Sequence, residues 1–158
     1  MKKMLIGSDK SGFELKEAIK GHLVKKGYEV TDCGTTDIEQ PKGYFVVAPV
    51  AAKKVQDKEF EKAILICGTG MGMAIVANKY KGIYAAVCEN TYSAEKARSI
   101  NDANILTMGG WITGSIIACE MVDKFLETEF TWGLEEWRQE FLKSAREQVK
   151  EIEESIYK

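Results

Sequence analysis

The stretch Lys62-Ala63-Ile64-Leu65-Ile66-Cys67-Gly68-Thr69-Gly70-Met71-Gly72, followed by Met73-Ala74-Ile75-Val76-Ala77-Asn78-Lys79, constrains the fold more than any other part of this chain. Its first part is a short continuous apolar run, the pattern of a strand buried on both faces. Its last part reads as a helix. The glycines between them make the junction a tight turn from strand into helix. Such a junction leaves backbone N–H groups at the helix start without intrahelical partners, aimed outward as a cradle for an anion. The anion is either a phosphate or an oxyanion formed during a reaction. Cys67 at the rim separates this loop from a plain phosphate cradle, because a thiol beside a helix N-terminus has its thiolate favoured and acts as a base or nucleophile near neutral pH.

The rest of the chain repeats the strand–helix alternation. Lys2 to Gly7 reads as a strand, and Ser11 to Glu14 has the form of a capping box opening a helix to about Lys26. Tyr28 to Asp32 is a second strand. Tyr44 to Lys58 is helical, with Pro49 placed in its first turn or kinking it. Ile64 to Cys67 is the third strand, and the helix after the glycine loop runs to about Tyr80. Ile83 to Cys88 is a fourth strand, and Asn90 or Thr91 caps a helix through Ser99. Asn104 to Met108 is a fifth strand, followed by a helix from about Gly114 to Glu127. This order predicts an α/β fold: a Rossmann-like three-layer sandwich with a five-stranded parallel sheet, plus a long C-terminal helix. In such sheets ligands bind at the carboxyl ends of the strands. Those ends carry Ser8-Asp9-Lys10, Cys33-Gly34-Thr35, Cys67 to Gly72, Glu89-Asn90 and Gly109-Gly110.

The pattern divides the chain into an α/β domain over 1–130 and a C-terminal helical extension over 131–158. In the extension Leu134, Trp137, Phe141, Ala145, Val149, Ile152 and Ile156 recur at spacings of three and four, one apolar stripe opposite a charged face. Packing of this stripe on a partner subunit is favoured over packing on its own domain, and a homodimer or homotetramer is expected. The formal net charge of -2 gives no reason to expect nucleic acid. No apolar stretch is long enough to span a bilayer and no signal-peptide pattern is present, so no membrane association and a cytoplasmic location are expected. The four cysteines, Cys33, Cys67, Cys88 and Cys119, form no Cys-x-x-Cys pair, which argues against a zinc site or redox dithiol. Cys88 and Cys119 read as buried packing residues. The one histidine, His22, lies among Lys20, Lys25 and Lys26 and reads as part of a solvated face, without a catalytic role. A histidine metal cluster is excluded.

The loop and its surroundings resemble the ribose-5-phosphate isomerase B family, which includes the galactose-6-phosphate isomerase subunits. The matching stretches are Ile6-Gly7-Ser8-Asp9, Gly12-Phe13-Glu14-Leu15-Lys16, Gly27-Tyr28-Glu29-Val30, Ile66 to Met73, Ala77-Asn78-Lys79, Tyr92-Ser93-Ala94 and Asn101-Asp102-Ala103-Asn104. They occur in the family's order and cover residues 1 to about 130. The resemblance implies an aldose–ketose isomerase acting on a sugar or sugar phosphate, with no metal or organic cofactor, through a cis-enediolate. It implies Cys67 as the base, with Thr69 relaying or polarising. Amides of Gly68, Gly70, Met71 and Gly72 would hold the enediolate oxygen, and Asp9, Tyr44 and Asn101 would bind substrate hydroxyls. Lys10 and Arg138 remain to hold an anionic group.

The departures are as informative. Lys10 replaces a family histidine, Ile100 stands where the ring-opening histidine falls, and Trp111 replaces a phosphate-binding arginine. The basic segment near the family's C-terminus aligns with Trp132-Gly133-Leu134-Glu135-Glu136-Trp137-Arg138, where only Arg138 keeps its charge. Without the arginine fork the usual phosphate pose is disfavoured. The substrate is therefore expected to be altered, and open-chain or self-opening. The alternative is a non-catalytic subunit or sugar-binding relative, against which stand Cys67, Thr69 and Asn101. A dinucleotide-binding domain fits worse, since the third glycine of that fingerprint falls at Met73.

Overall fold

The computed structural model describes residues 1–158. The elements run β1 (Lys2–Ser8), α1 (Phe13–Lys25), β2 (Tyr28–Asp32), α2 (Tyr44–Gln56), β3 (Ala63–Cys67), α3 (Met71–Ala77), β4 (Ala85–Val87), α4 (Thr91–Ser99), β5 (Ile105–Gly109), α5 (Ser115–Glu127) and α6 (Glu136–Ile156). All strand pairs are parallel, in the order β2-β1-β3-β5-β4. The expected five-stranded parallel sheet is therefore observed, with a long C-terminal helix.

Alternation along the strands sorts the core into two layers. Ile6, Ile64, Ile66, Leu106 and Met108 pack under Ile19, Leu23, Met121, Val122 and Phe125 of α1 and α5. Leu5, Ala63, Leu65, Cys67 and Ile105 meet Val47, Ala51, Val55, Met73 and Ala77 of α2 and α3. Every residue of β3 and β5 is buried, which is why β3 reads as an unbroken apolar run and β5 as one broken only by Thr107. From β1 the chain winds outward one way to β2, and from β3 it winds the other way. The crevice above the carboxyl ends of β1 and β3 is thus the switch point where such sheets bind ligands.

Several boundaries differ from the sequence reading. α1 begins at Phe13 behind Gly12, and neither Ser11 nor Glu14 forms a capping box. Asp9 performs that service, its Oδ1 accepting the Gly12 N–H at 3.0 Å. α2 continues through Pro49, which falls in its second turn. α3 stops at Ala77 because Asn78 turns its side chain to β4, where its Oδ1 accepts the Ala85 N–H at 2.7 Å and its Nδ2 donates to the Ala85 carbonyl at 2.9 Å. The Asn90 cap on α4 is present, with Oδ1 accepting the Ser93 N–H at 2.8 Å. Cys88 is buried, but Cys119 is only partly so. His22 is not simply solvated: its Nε2 lies 2.8 Å from Asp123 Oδ1, joining α1 to α5. Burial works to raise the Asp123 carboxyl, yet its hydrogen bonds with Lys26 and His22 outweigh burial and hold it below the usual range.

α6 is fixed to its own protomer by polar contacts. Glu153 accepts from the Gly82 N–H at 2.6 Å and the Tyr84 hydroxyl at 3.0 Å. The Tyr157 hydroxyl donates to the Lys79 carbonyl at 2.7 Å. Arg146 reaches Asp102 at 2.9 Å while lying over the Phe130 ring. Of the apolar residues on α6 only Leu142 is buried, and Trp137, Phe141, Val149, Ile152 and Ile156 stay exposed. No helix is long and apolar enough to cross a membrane.

Asp102 carries a left-handed backbone, φ 52°, and its carboxylate also receives buried Arg98 at 3.0 Å. Arg98 donates further to the carbonyls of Ala103 and Thr128. Arg98→Met should strand these acceptors and destabilise the protein by about 3 kcal/mol, measured by equilibrium urea unfolding.

Candidate active site

The loop after β3 is moulded against β5. Gly70 has φ 80°, and a Cβ there would lie 2.8 Å from the Met108 carbonyl carbon, so this position requires glycine on both counts. The buried Thr107 hydroxyl donates to the Gly70 carbonyl at 2.9 Å. Gly110 N–H donates to the Cys67 carbonyl at 2.8 Å, and Trp111 N–H to the Gly68 carbonyl at 3.0 Å. With its backbone held on one side, the loop presents its other side to the crevice.

The cradle is partly filled from within. Gly70 N–H donates to Cys67 Sγ at 3.1 Å, and Met71 N–H to Thr69 Oγ1 at 3.3 Å. The amides of Gly68, Thr69 and Gly72 have no acceptor in the chain. Gly70 and Met71 therefore orient the two side chains expected to do chemistry, and the remaining amides stay open to a ligand. This corrects the uniform cradle expected from the sequence.

Two aromatic rings stand over the loop. Trp111 lies against Gly68, where an added Cβ would come within 2.7 Å of the indole. Tyr44, at the start of α2, lies against Gly72, where a Cβ would come within 2.9 Å of its ring. The glycines at 68 and 72 make room for these walls. The cleft between them is lined by Asp9, Ser11, Tyr44, Cys67, Gly68, Thr69, Gly72, Ile75 and Trp111. Lys10 is exposed beside Asp9, and Met71 is exposed at the helix start. A second depression, lined by Lys2, Lys3, Tyr28, Phe60 and Lys62, sits at the amino ends of the strands, away from this chemistry.

Two expected site residues are elsewhere. Asn101 and Ile100 precede β5, so they lie at the amino end of the sheet, in a groove with Tyr84, Leu142 and Val149. The length of β5, at ~3.3 Å per residue, separates them from the Cys67 end. Arg138 is exposed on α6, over the Trp137 ring at 5.2 Å and 3.8 Å from Glu135. Ser11 and Ile75 are lining residues that the sequence reading does not reach, while Trp111, read as standing in place of a phosphate-binding arginine, does line the cleft. Ser11 follows from the strand-end rule. Ile75 has no such signal, because it lies on α3 beyond the loop that follows the strand end. No three His, Cys, Asp or Glu side chains converge as a metal site would require.

A family model described as Ribose/Galactose Isomerase matches residues 4–141. The chain belongs to this family. It is 69% identical over 156 residues to the 4-deoxy-4-sulfo-D-erythrose isomerase of Clostridium sp. (strain MSTE9), covering 99% of this chain and 98% of that one. It is 39% identical over 133 residues to the D-erythrulose-4-phosphate isomerase of Pectobacterium atrosepticum, covering 84% and 88%. Among solved structures, Clostridium thermocellum ribose-5-phosphate isomerase B superimposes with a TM-score of 0.88 at 40% identity, over 98% of this chain and 99% of that one. The protein is thus an aldose–ketose isomerase of the ribose-5-phosphate isomerase B type, and its fold is that of the family.

Asp9 is the one carboxylate of the isomerase cleft. Burial pushes its pKa up, against hydrogen bonds from the Gly12 and Ser11 amides that pull it down. A raised folded-state pKa means that this group favours the fold at low pH and loses that contribution as pH rises through it. Asp9→Asn should therefore be at least as stable as wild type at neutral pH, with the difference closing below about pH 4. Thermal unfolding across pH checks this. Gly70→Ala should cost about 2 kcal/mol or more from backbone strain and contact with Met108. Gly68→Ala, which meets only a displaceable indole, should cost far less in the same unfolding assay.

Proposed function

We propose that this isomerase interconverts a four-carbon aldose and ketose bearing a terminal sulfonate, 4-deoxy-4-sulfo-D-erythrose and its 2-keto isomer. The observation that carries the reading is the lining that one protomer gives the Cys67 cleft, which contains no arginine, lysine or histidine. A phosphate monoester brings a charge of about −1.5 to −2, whereas a sulfonate brings only one negative charge. The smaller charge suits a cleft with Lys10 at its margin. The 69% identity to the sulfo-erythrose isomerase supports the same substrate.

Ring chemistry supports it independently. In this sugar carbon 4 carries sulfur in place of a hydroxyl, so no oxygen is placed to close a five- or six-membered hemiacetal. The aldehyde is always open-chain. Ile100, standing where the resemblance places a ring-opening histidine, then costs the reaction nothing. An erythrulose 4-phosphate, with its carbon-4 oxygen esterified, shares this property and is the second candidate substrate.

In the proposed mechanism the Cys67 thiolate takes the proton from carbon 2, and the electron pair forms the double bond to carbon 1. The amides of Gly68, Thr69 and Gly72 hold the oxygen that becomes anionic, a stabilisation that is often the largest in such reactions. Thr69 relays the hydroxyl proton of carbon 2 to the oxygen on carbon 1. Cys67 then returns its proton to carbon 1. Asp9 and Tyr44 bind hydroxyls, with Gly70 and Met71 orienting Cys67 and Thr69 through their amides. Asn101 joins the site from a second copy of the chain, since β5 separates it from Cys67 within one protomer; Arg138 would arrive by the same route. A homodimer or homotetramer is the working unit. The exposed apolar rim of Tyr44, Met71, Ile75 and Trp111 supports such an assembly.

Cys67→Ala should lower kcat at least ~10³-fold while leaving the fold intact, and near-wild-type turnover would end its assignment as base. Steady-state assays should rank 4-deoxy-4-sulfo-D-erythrose above erythrose 4-phosphate and both above ribose 5-phosphate. An efficiency of ~10⁴ M⁻¹s⁻¹ or more on ribose 5-phosphate would overturn the substrate reading. Mixed oligomers of Cys67→Ala and Asn101→Ala subunits should regain activity that neither parent has, because one of their sites is complete. Failure to regain it would place Asn101 outside the site.

A further inference from the structure

The Gly12-Phe13-Glu14-Leu15-Lys16 stretch contributes its glycine to the turn beside Asp9, yet its lysine has no part in the proposed chemistry. Lys16 is nonetheless fully buried. Its ammonium lies 2.6 Å from Asp32 Oδ2 and 3.2 Å from Glu17, rests 4.7 Å from the Phe13 ring centroid, and donates to the Thr35 carbonyl. A lysine is rarely buried without a partner, and here two hydrogen-bond acceptors and a second carboxylate surround the ammonium. Glu17 and Phe13 are neighbours on α1, whereas Asp32 and Thr35 tie Lys16 to one short segment, the end of β2 and the turn after it.

That segment is held tightly on its other side. Cys33 N–H donates to the Ile6 carbonyl at 2.9 Å and Thr35 N–H to the Ser8 carbonyl at 2.8 Å. Asp32 Oδ1 accepts the Gly34 N–H at 3.0 Å. A Cβ on Gly34 would fall 2.3 Å from the Ser8 nitrogen, so the turn lies flat on the end of β1, next to Asp9. The buried Thr35 then reaches across the following loop. Its Oγ1 accepts the Lys42 N–H at 3.0 Å and faces the Lys42 carbonyl at 3.4 Å. Lys42 precedes Gly43, the N-cap of α2, and the next residue is Tyr44, whose ring walls Gly72.

We infer that Lys16 is a positioning residue for the active site: through Thr35 and Lys42 it fixes the start of α2, and so the Tyr44 ring that closes one side of the glycine loop. The residues between Thr35 and Lys42 are exposed and form no helix or strand, so the Thr35 side chain is the tie that spans them. Lys16 holds the fixed end of this tie by its carbonyl, and Tyr44 is the group delivered at the other end. The inference rests on Tyr44 belonging to the isomerase cleft.

The kinetic test cuts the tie at Thr35 and leaves Lys16 in place. Thr35→Val keeps the shape and removes the oxygen, Thr35→Ser restores it, and Thr35→Ala serves as the cut if Val does not fold. In the steady-state assay with 4-deoxy-4-sulfo-D-erythrose, the cut variant should raise KM about tenfold with a much smaller fall in kcat, and Thr35→Ser should recover most of it. In a Tyr44→Ala background the cut should have no further effect on KM, because coupled groups are not additive. Hydrogen exchange gives a readout without turnover: the amides of Val46 and Val47 should exchange faster in Thr35→Val and in Lys16→Arg, while those of β3 stay protected. Unchanged exchange at these amides, or full additivity with Tyr44→Ala, would overturn the inference. Wild-type protein inactive on the sulfonated tetrose would instead overturn the substrate assignment and leave the exchange result to decide the role of Lys16.

Discussion

The close approach of Gly70 to the backbone of Met108 is the contact on which the rest of the site depends. It requires a residue with no side chain and a left-handed backbone, and it seats the loop on β5. Seated there, the Gly70 N–H meets the Cys67 sulfur, and Thr69 turns toward Met71. The same seating leaves the amides of Gly68, Thr69 and Gly72, residues that line the crevice, without an acceptor in the chain. Tyr44 and Trp111 then stand on the two remaining glycines. A loop of six residues thus carries a thiol, a hydroxyl, free donors and both walls, with no contribution from a charged side chain other than Asp9.

Electrostatics and substrate chemistry agree on what such a cleft suits. A family scaffold is retained here without the imidazole that would open a ring and with aromatic or aliphatic groups at positions of arginine. Taken singly, each replacement reads as damage. Taken together they agree with the proposed substrate, a sugar that has no ring to open and carries a single, diffuse anionic charge at its end. On that proposal the histidine implied by the family resemblance has no task and the guanidinium fork has no dianion to hold.

The glycine loop, the sheet and the cap on α4 were legible because each rests on local chemistry. Unbroken apolar runs mark strands covered on both faces, and Asn90 needs only the next turn to act. The capping box expected at Ser11 is absent because the N-cap of α1 falls one residue later, at Gly12, which has no side chain to cap with. The strand-end rule located Asp9 and Cys67 and would also have located Ser11. Applied to Asn101 the same rule points the other way, since that residue precedes its strand. Its remoteness from Cys67 follows from the direction of α4 and needed no coordinates. Trp111 was noticed as a missing arginine, but its seat on Gly68 depends on the turn after β5, which residue types alone do not specify. The burial of Lys16 has no local signal, because Asp32 and Thr35, which surround it, come from the far end of β2 and the turn after it.

The Asp102 carboxylate is shared between Arg98 of the α/β body and Arg146 of the tail helix, on the residue next to Asn101. The change of sequence pattern near residue 130 is therefore not a mechanical joint. A tail exchanged with that of a relative, or trimmed to shorten the chain, would withdraw a guanidinium from the turn that presents Asn101. Grafting between members of this family would have to treat positions 98, 102 and 146 as a single inherited unit, travelling with the body and the tail together.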